Sequence, residues 1–146
     1  MESLHYLLMK SHAMFSRKIL GEAAMIGLTP GQPKILDFLS AYREADQKTI
    51  AAYCEIERAT VGSILLRMEN AGLIQRRQKD GNRRSLYVSL TEKGAEAAAK
   101  LEKIFRDTDE EFSACLSQEE KETLKALLRK ICGAGAPYPE TTEELL

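Results

Sequence analysis

DQKTIAAYCEIERATVGSILLRMENAGLIQRRQKDGNRRSLYVSLTEKG, residues 46–94, is the stretch that decides the fold of this chain of 146 residues. Its pattern predicts a helix, a tight turn, a second helix, a strand, a basic loop and a second strand. Asp46 can cap a short helix over residues 47–54. Glu55-Ile56 is a turn too short for anything but two crossed helices. The second helix is then predicted over about residues 58–70.

The second helix has one predicted buried face and one outward face. Its apolar residues recur at i, i+3, i+4 and i+7, the spacing of a single stripe. This stripe consists of Val61, Ile64, Leu65 and Met68. The outward face consists of Ala59, Gly62, Ser63 and Leu66, with Thr60 and Arg67 on one flank. A glycine inside a helix costs about 1 kcal/mol relative to alanine. We therefore attribute Gly62 to close approach of another macromolecule; tolerated drift is the alternative.

A basic hairpin follows this helix, which ends at Gly72. Strands are predicted over residues 73–78 and 84–90, and Asp80-Gly81 within the tip, residues 79–83, is the turn signal. Small outward residues beside a hairpin tipped with Arg and Lys fit the major groove of DNA and the neighbouring minor groove or phosphates. The predicted DNA contacts are Arg58, Ala59, Thr60, Gly62, Ser63, Leu66, Arg67, Lys79, Asp80, Asn82, Arg83 and Arg84. A solvated charged face is the alternative for the arginines.

Residues 28–94 resemble the winged helix-turn-helix of the MarR (multiple-antibiotic-resistance regulator) transcription factors. The matching motifs are Leu28-Thr29-Pro30-Gly31-Gln32, Thr60-Val61, Arg67-Met68-Glu69, Gly72-Leu73-Ile74, Asp80-Gly81-Asn82-Arg83-Arg84 and Val88-Ser89-Leu90-Thr91-Glu92-Lys93-Gly94. The wing followed by Leu-Thr-Glu-Lys-Gly is a fairly specific pattern, which a helix-turn-helix alone is not. The helical flanks match the family in pattern and length only.

The resemblance implies a single domain, mainly α with a small β-hairpin wing (α+β). Residues 30–91 would form the winged helix-turn-helix DNA-binding unit, residues 1–27 and 92–132 the flanking dimerisation helices, and residues 133–146 a tail. The resemblance also implies a homodimer and a small, often aromatic or anionic, effector bound between the dimer helices and the DNA-binding unit. Candidates for lining such a pocket are His12, Phe15, Arg17 and Tyr42.

The charge of the chain is unevenly distributed. The net charge is −1, which by itself argues against DNA binding. Residues 58–91, however, hold seven Lys and Arg against two Asp and Glu, a net charge of +5, whereas residues 92–146 carry −5 and residues 1–57 carry −1. The positive charge is therefore concentrated on the second helix and the hairpin, as expected where one surface meets phosphate.

Several functional classes lack support in the sequence. It has no apolar run of about 18 residues for a membrane span, and it has no signal-peptide pattern. Cys54, Cys115 and Cys132 are odd in number and widely spaced, so we expect neither a disulfide framework nor a metal site, in a reducing cytoplasm. His5 and His12, seven residues apart, make a poor metal site. With no nucleophile or phosphate-loop motif, we expect no enzyme and no cofactor.

Capping signals mark the remaining helices. The first helix is predicted over residues 3–25. A capping box over Thr29–Gln32, with Pro30 as the first helical residue, begins a helix that runs to about Tyr42, and residues 43–45 form a linker. Further signals are Gly27 ending the first helix, Thr91 capping a helix over about residues 92–116, and a Ser117/Glu120 capping box before a last helix that Gly133 ends.

Four local expectations concern the helix-turn-helix and the wing. Glu57, where the family commonly has Ser, is expected to cap the second helix, the recognition helix. Its carboxylate repels phosphate, so Arg58 and Thr60 become the favoured phosphate contacts at this end of the helix. Cys54 is expected to be a small buried hydrophobe and not an oxidant sensor. One wing arginine, Arg83 or Arg84, is expected to reach the minor groove, and the sequence does not say which. On the second wing strand, Leu86, Val88 and Leu90 are expected to pack on the helices, opposite Ser85, Tyr87 and Ser89.

These expectations describe a sequence-specific DNA-binding transcriptional regulator. We expect a ligand-responsive repressor that acts as a homodimer on a pseudopalindromic operator, with activation left open. The alternative is a winged-helix protein-interaction module without specific DNA binding, which Glu57 and the net charge of −1 support. Salt dependence separates the two, because DNA binding releases counterions from phosphate.

Overall fold

The computed structural model describes residues 1–79 and 82–133, with the backbone alone at residues 79 and 82–85. Within these residues the chain is mostly helical with one small antiparallel sheet, which confirms the predicted fold class. The elements are α1 (Leu4–Met25), α2 (Gln32–Tyr42), β1 (Glu44–Asp46), α3 (Gln47–Cys54), α4 (Arg58–Asn70), β2 (Ile74–Lys79), β3 (Asn82–Leu90), α5 (Glu92–Ser113) and α6 (Gln118–Gly133).

The sheet has one strand more than predicted. Its order is β1-β3-β2, and β1 pairs antiparallel with β3, with Ala45 opposite Val88. The prediction of a linker over residues 43–45 is therefore wrong. Three residues are too few to show an alternating pattern, and the strand forms because β3 offers it a free edge. An ion pair at 2.7 Å between Arg77 of β2 and Glu44 of β1 spans the sheet.

Both hairpin strands reach further toward the tip than predicted. Lys79 pairs with Asn82, so both belong to strands and not to a five-residue tip. The turn signal Asp80-Gly81 lies outside the described residues. On β3, Val88 is buried and Leu90 partly buried, as expected. Leu86 is 42% exposed, contrary to the prediction that it packs on the helices, because it lies further out along the hairpin, opposite Gln78.

Most predicted helix ends are confirmed by hydrogen bonds. Asp46 accepts a bond of 2.8 Å from the Thr49 N–H, and Ser117 and Glu120 exchange both bonds of a capping box. Gly72 has φ +76°, and the Leu73 and Gly72 amides return to α4 carbonyls, which closes the helix in a Schellman motif.

Two predicted boundaries move. The Gln32 side chain accepts a bond from the Thr29 N–H, which is half of the predicted capping box. The helix begins at Gln32 and not at Pro30, because Gly31, with φ +89°, turns the chain just before it. At the other end of the chain, α5 stops at Ser113 and not at Leu116, since a turn separates it from the cap of α6.

The core lies where α2 meets the helix-turn-helix and the sheet. Ile35, Leu36, Phe38 and Leu39 of α2 are at most 1% exposed, and they meet the buried stripe of α4 and Val88 of β3. Cys54 belongs to this core, and burial raises the pKa of its thiol to about 11. The thiol therefore stays protonated at neutral pH, as expected of a small buried hydrophobe and not of a redox sensor.

The outer helices leave apolar residues uncovered. On α6 the predicted stripe is exposed throughout, at Leu124, Leu127, Leu128 and Ile131. Most of α1 is exposed as well, including Leu4, Leu7, Leu8 and Met14. Among residues 1–79 and 82–133, no helix has the length and apolar character to cross a bilayer.

The start of α5 is fixed against the turn after α4, and this contact yields a prediction for stability. A Cβ at Gly94 would overlap the Leu73 carbonyl. We expect Gly94→Ala to lower the free energy of unfolding by about 1–3 kcal/mol, since backbone must move to accommodate the methyl group. Gly21→Ala is the control: no atom lies within 4 Å of that position, so the helix should gain up to about 1 kcal/mol. Urea denaturation at fixed protomer concentration measures both, and equal stability of the two variants would contradict the contact.

Candidate nucleic-acid interface

The outward face of α4 is built by burial of the opposite face. Val61, Leu65 and Met68 are completely buried against the core, and Ile64 is partly buried. Because a helix has fixed angular spacing, the residues on the other side must face solvent. The exposed predicted contacts on α4 are Arg58, Ala59, Thr60, Ser63, Leu66 and Arg67. They form one continuous surface, which we call the α4 face.

Gly62 has a reason inside the protein. It is half-buried, and a Cβ at this position would lie 3.1 Å from Nε2 of Gln47, at the start of α3. The same amide nitrogen donates a 3.1 Å hydrogen bond to the carbonyl of Arg58. The small residue therefore lets Gln47 cross to the first turn of α4, so an approaching macromolecule is not needed to explain it. This role of Gln47 was not predicted from the sequence, because the Arg58 carbonyl that it contacts lies eleven residues further along the chain.

Glu57 begins α4 without capping it through its side chain. The Glu57 carbonyl accepts the Val61 N–H at 2.9 Å, but its carboxylate makes no cap hydrogen bond. The expectation that this carboxylate caps the helix is therefore wrong. Asp46 at the start of α3 does use its carboxylate in that way. Glu57 is exposed and places negative charge beside the first turn of the α4 face.

Two arginines of the positive segment hold the wing in place. Nε of Arg76 lies 3.5 Å from the carboxylate of Glu69 on α4, and Arg77 pairs with Glu44 of β1. Arg76 is mostly buried, with a side chain 17% exposed. Arg76 thus ties β2 to α4, whereas Arg77 ties β2 to β1 within the sheet. Neither role was predicted from the sequence.

The DNA contacts proposed for the other wing residues remain predictions. The backbones of Lys79, Asn82, Arg83 and Arg84 lie on the paired strands β2 and β3, next to the hairpin end. Their side chains, like all of Asp80, lie outside the described part of the structure. The structure therefore brings these backbones to one end of the sheet and leaves the reach of the two arginines untested.

The four candidate effector residues fall in different places. The Phe15 ring meets Phe112 of α5 edge to face, with centroids 5.9 Å apart, and Tyr42 stacks against Phe38 and Tyr53. His12 and Arg17 are exposed on α1. Two clefts of about 290 and 460 Å³ in the described residues lie elsewhere, beside the α4–β2 turn and beside the α3–α4 turn, and none of the four residues lines them. The role of the four side chains in effector binding therefore stays a prediction.

Known proteins match this architecture. The sequence model of the MarR family matches residues 28–86. A putative transcriptional regulatory protein for the hcr operon of Thauera aromatica is 28% identical over 118 residues, which cover 81% of this chain and 71% of the relative. The transcriptional regulator HosA of Escherichia coli O111:H- is 39% identical over 77 residues, and this match spans little more than half of each chain, 53% and 57%.

A solved structure extends the match to the helical flanks. The transcriptional repressor CouR bound to a 23-mer DNA duplex superposes with a TM-score of 0.81 and 27% identity, over 89% of this chain and 92% of CouR. This match takes in most of the chain outside residues 28–86, where α1, α5 and α6 lie. These relatives are regulators of transcription and not enzymes. The chain thus carries the MarR-family sequence pattern over residues 28–86, within a fold that matches winged-helix regulators of transcription.

Proposed function

We propose that the chain is a sequence-specific DNA-binding repressor that acts as a homodimer on a pseudopalindromic operator and responds to a small ligand. The observation that carries the proposal is the α4 face: a recognition-type helix that exposes short side chains between Arg58 and Arg67. A helix of this kind enters the major groove, where base edges can be distinguished. CouR, whose fold matches, is a repressor solved on DNA.

The charge distribution supports contact with phosphate. Residues 58–91 carry a net charge of +5 in a chain of net charge −1. Arg76 and Arg77 form ion pairs with Glu69 and Glu44, respectively. DNA binding would therefore rely on the other basic residues of this segment, which lie on α4 and at the wing. Such a patch attracts DNA of any sequence, and the α4 face then selects among sequences.

The exposed apolar stripes support a homodimer. The α6 stripe and the first half of α1 cannot be buried on the winged unit, which already fills its own core. A second copy of the chain offers the same stripes, and a two-fold axis would bury both sets. Two recognition helices would then lie about one DNA turn apart, which requires a pseudopalindromic site.

Repression and ligand response complete the proposal. A dimer seated on a promoter blocks transcription by occlusion. The family resemblance suggests a small aromatic or anionic effector that changes the spacing of the two α4 helices by favouring one of two dimer conformations. His12, Phe15, Arg17 and Tyr42 remain the candidate residues for its pocket. The partner protomer, by adding its own helices, would supply the rest of the enclosure.

A protein-interaction module is the second candidate, and Glu57 favours it. A free carboxylate at the start of α4 opposes phosphate contact at that point. A protein partner would be bound with little dependence on salt, whereas DNA binding falls steeply as salt rises.

The wing arginines supply the first test. Arg83→Ala combined with Arg84→Ala should weaken binding to every DNA sequence and reduce the slope of log affinity against log salt by about two to four in a dimer, because up to four phosphate-neutralising charges are lost. The control is Lys103→Ala with Lys125→Ala, which removes two exposed lysines from α5 and α6. Fluorescence anisotropy over a salt series measures both variants. An unchanged slope in the arginine variant would remove the wing from the mechanism.

The α6 stripe supplies the test of the dimer. Leu127→Glu with Ile131→Glu should raise the dimer dissociation constant by at least about a hundredfold, since unpaired carboxylates would be buried at the interface. Lys125→Glu changes the charge of the same helix without touching the stripe and should leave the dimer intact. Sedimentation velocity distinguishes the species. A stable dimer of the double variant would show that α6 does not form the interface.

A further inference from the structure

The α4 face has an apolar centre that is left exposed by the part of the chain that the structure describes. Between the end of α1 and the start of α6, the large apolar side chains that the described residues expose are Leu66, at 52%, and Leu86, at 42%. The stripes of α1 and α6 suit a dimer, but Leu66 lies on the opposite side of α4 from the buried residues. It shares the spacing i, i+4, i+7 with Ala59 and Ser63, so the three side chains form one row.

This row has little capacity to read bases by hydrogen bonds. Ala59 and Leu66 have no polar side-chain atoms. The hydroxyl of Ser63 is the one polar side-chain group of the row, and it lies 3.4 Å from the Ala59 carbonyl of the same helix. The side chains that pair with guanine or adenine through two hydrogen bonds are Arg, Lys, Asn and Gln, and none occupies the row. The charged residues Arg58 and Arg67 flank it instead.

The major groove presents one apolar group, the 5-methyl group of thymine. An exposed leucine set in a positively charged surface would be covered by that methyl group when the helix enters the groove. We infer that Leu66 reads thymine in each operator half-site by contact with its 5-methyl group, with Ala59 widening the apolar surface. This inference rests on the proposed DNA-binding function and names the base that the α4 face recognises.

Replacing thymine by deoxyuridine tests the inference, since it removes the methyl group and keeps every hydrogen-bonding atom. The operator is first selected from random duplexes with the intact protein, and each symmetric thymine pair is then replaced in turn. We expect one thymine pair to respond. Replacing its thymine in one half-site should lower affinity about fourfold, and replacing it in both half-sites should lower affinity about fifteenfold, because each replacement leaves one methyl-sized apolar contact unmade.

Variants at position 66 assign the effect to the side chain. In Leu66→Ala the penalty for deoxyuridine at that pair should shrink to less than about twofold, whereas Leu66→Met, which keeps the apolar volume, should retain most of it. Circular dichroism and sedimentation establish that both variants fold and dimerise.

The outcomes separate this inference from the function on which it rests. Specific binding without any thymine pair that responds to deoxyuridine would overturn the role of Leu66 and leave the proposed regulator intact. A penalty of equal size in Leu66→Ala would also overturn it, because the methyl group would then act through another residue or through DNA shape. Selection that recovers no preferred sequence would refute the proposed function, and the inference with it.

Discussion

The burial of Val61, Leu65 and Met68 is the constraint on which the rest depends. These three side chains are fully enclosed by α2, α3 and the sheet, and they fix how far α4 is rotated about its own axis. A rotation of one residue would expose part of this stripe, at about 1.5–3 kcal/mol for each large side chain returned to water. The α4 face is therefore a consequence of core packing. The side chains of this face, short and apolar between Arg58 and Arg67, are not part of the core cluster.

Hydrogen bonds connect both ends of α4 to neighbouring helices, α3 at its start and α5 at its end. At its start, Gln47 reaches Arg58 across the space left by Gly62. At its end, the turn after α4 receives the Lys93 ammonium on the Ala71 carbonyl at 2.7 Å and the Thr91 hydroxyl on the Gly72 carbonyl. Since α5 begins at these contacts, its direction and that of α4 are coupled. In the proposed dimer, a shift of α5 would change the distance between the two recognition helices.

Features set by nearby residues could be predicted from the sequence, whereas features set by tertiary contacts could not. Asp46, Gly72 and the Ser117/Glu120 pair announce helix ends because each acts on backbone within four residues. β1 could not be predicted from the sequence, because a three-residue strand is defined by its pairing with β3, more than forty residues away. The ion pair between Arg77 and Glu44 likewise forms only because the sheet brings the two strands together. The sequence alone therefore could not show which arginines pair within the protein and which are available to contact DNA. The resemblance of residues 28–94 supplied the family, whereas the reason for Gly62 needed the position of Gln47.

DNA binding by the α4 face can be measured as fluorescence anisotropy of fragments of the protein's own upstream DNA, compared with a random duplex, at 50 and 200 mM salt. We expect one fragment to be preferred, and we expect affinity for it to fall by about a hundredfold or more between the two salt concentrations, as several phosphate contacts are screened. Binding that ignores both sequence and salt would contradict this expectation, and would mean that the α4 face meets a protein surface instead of a DNA groove.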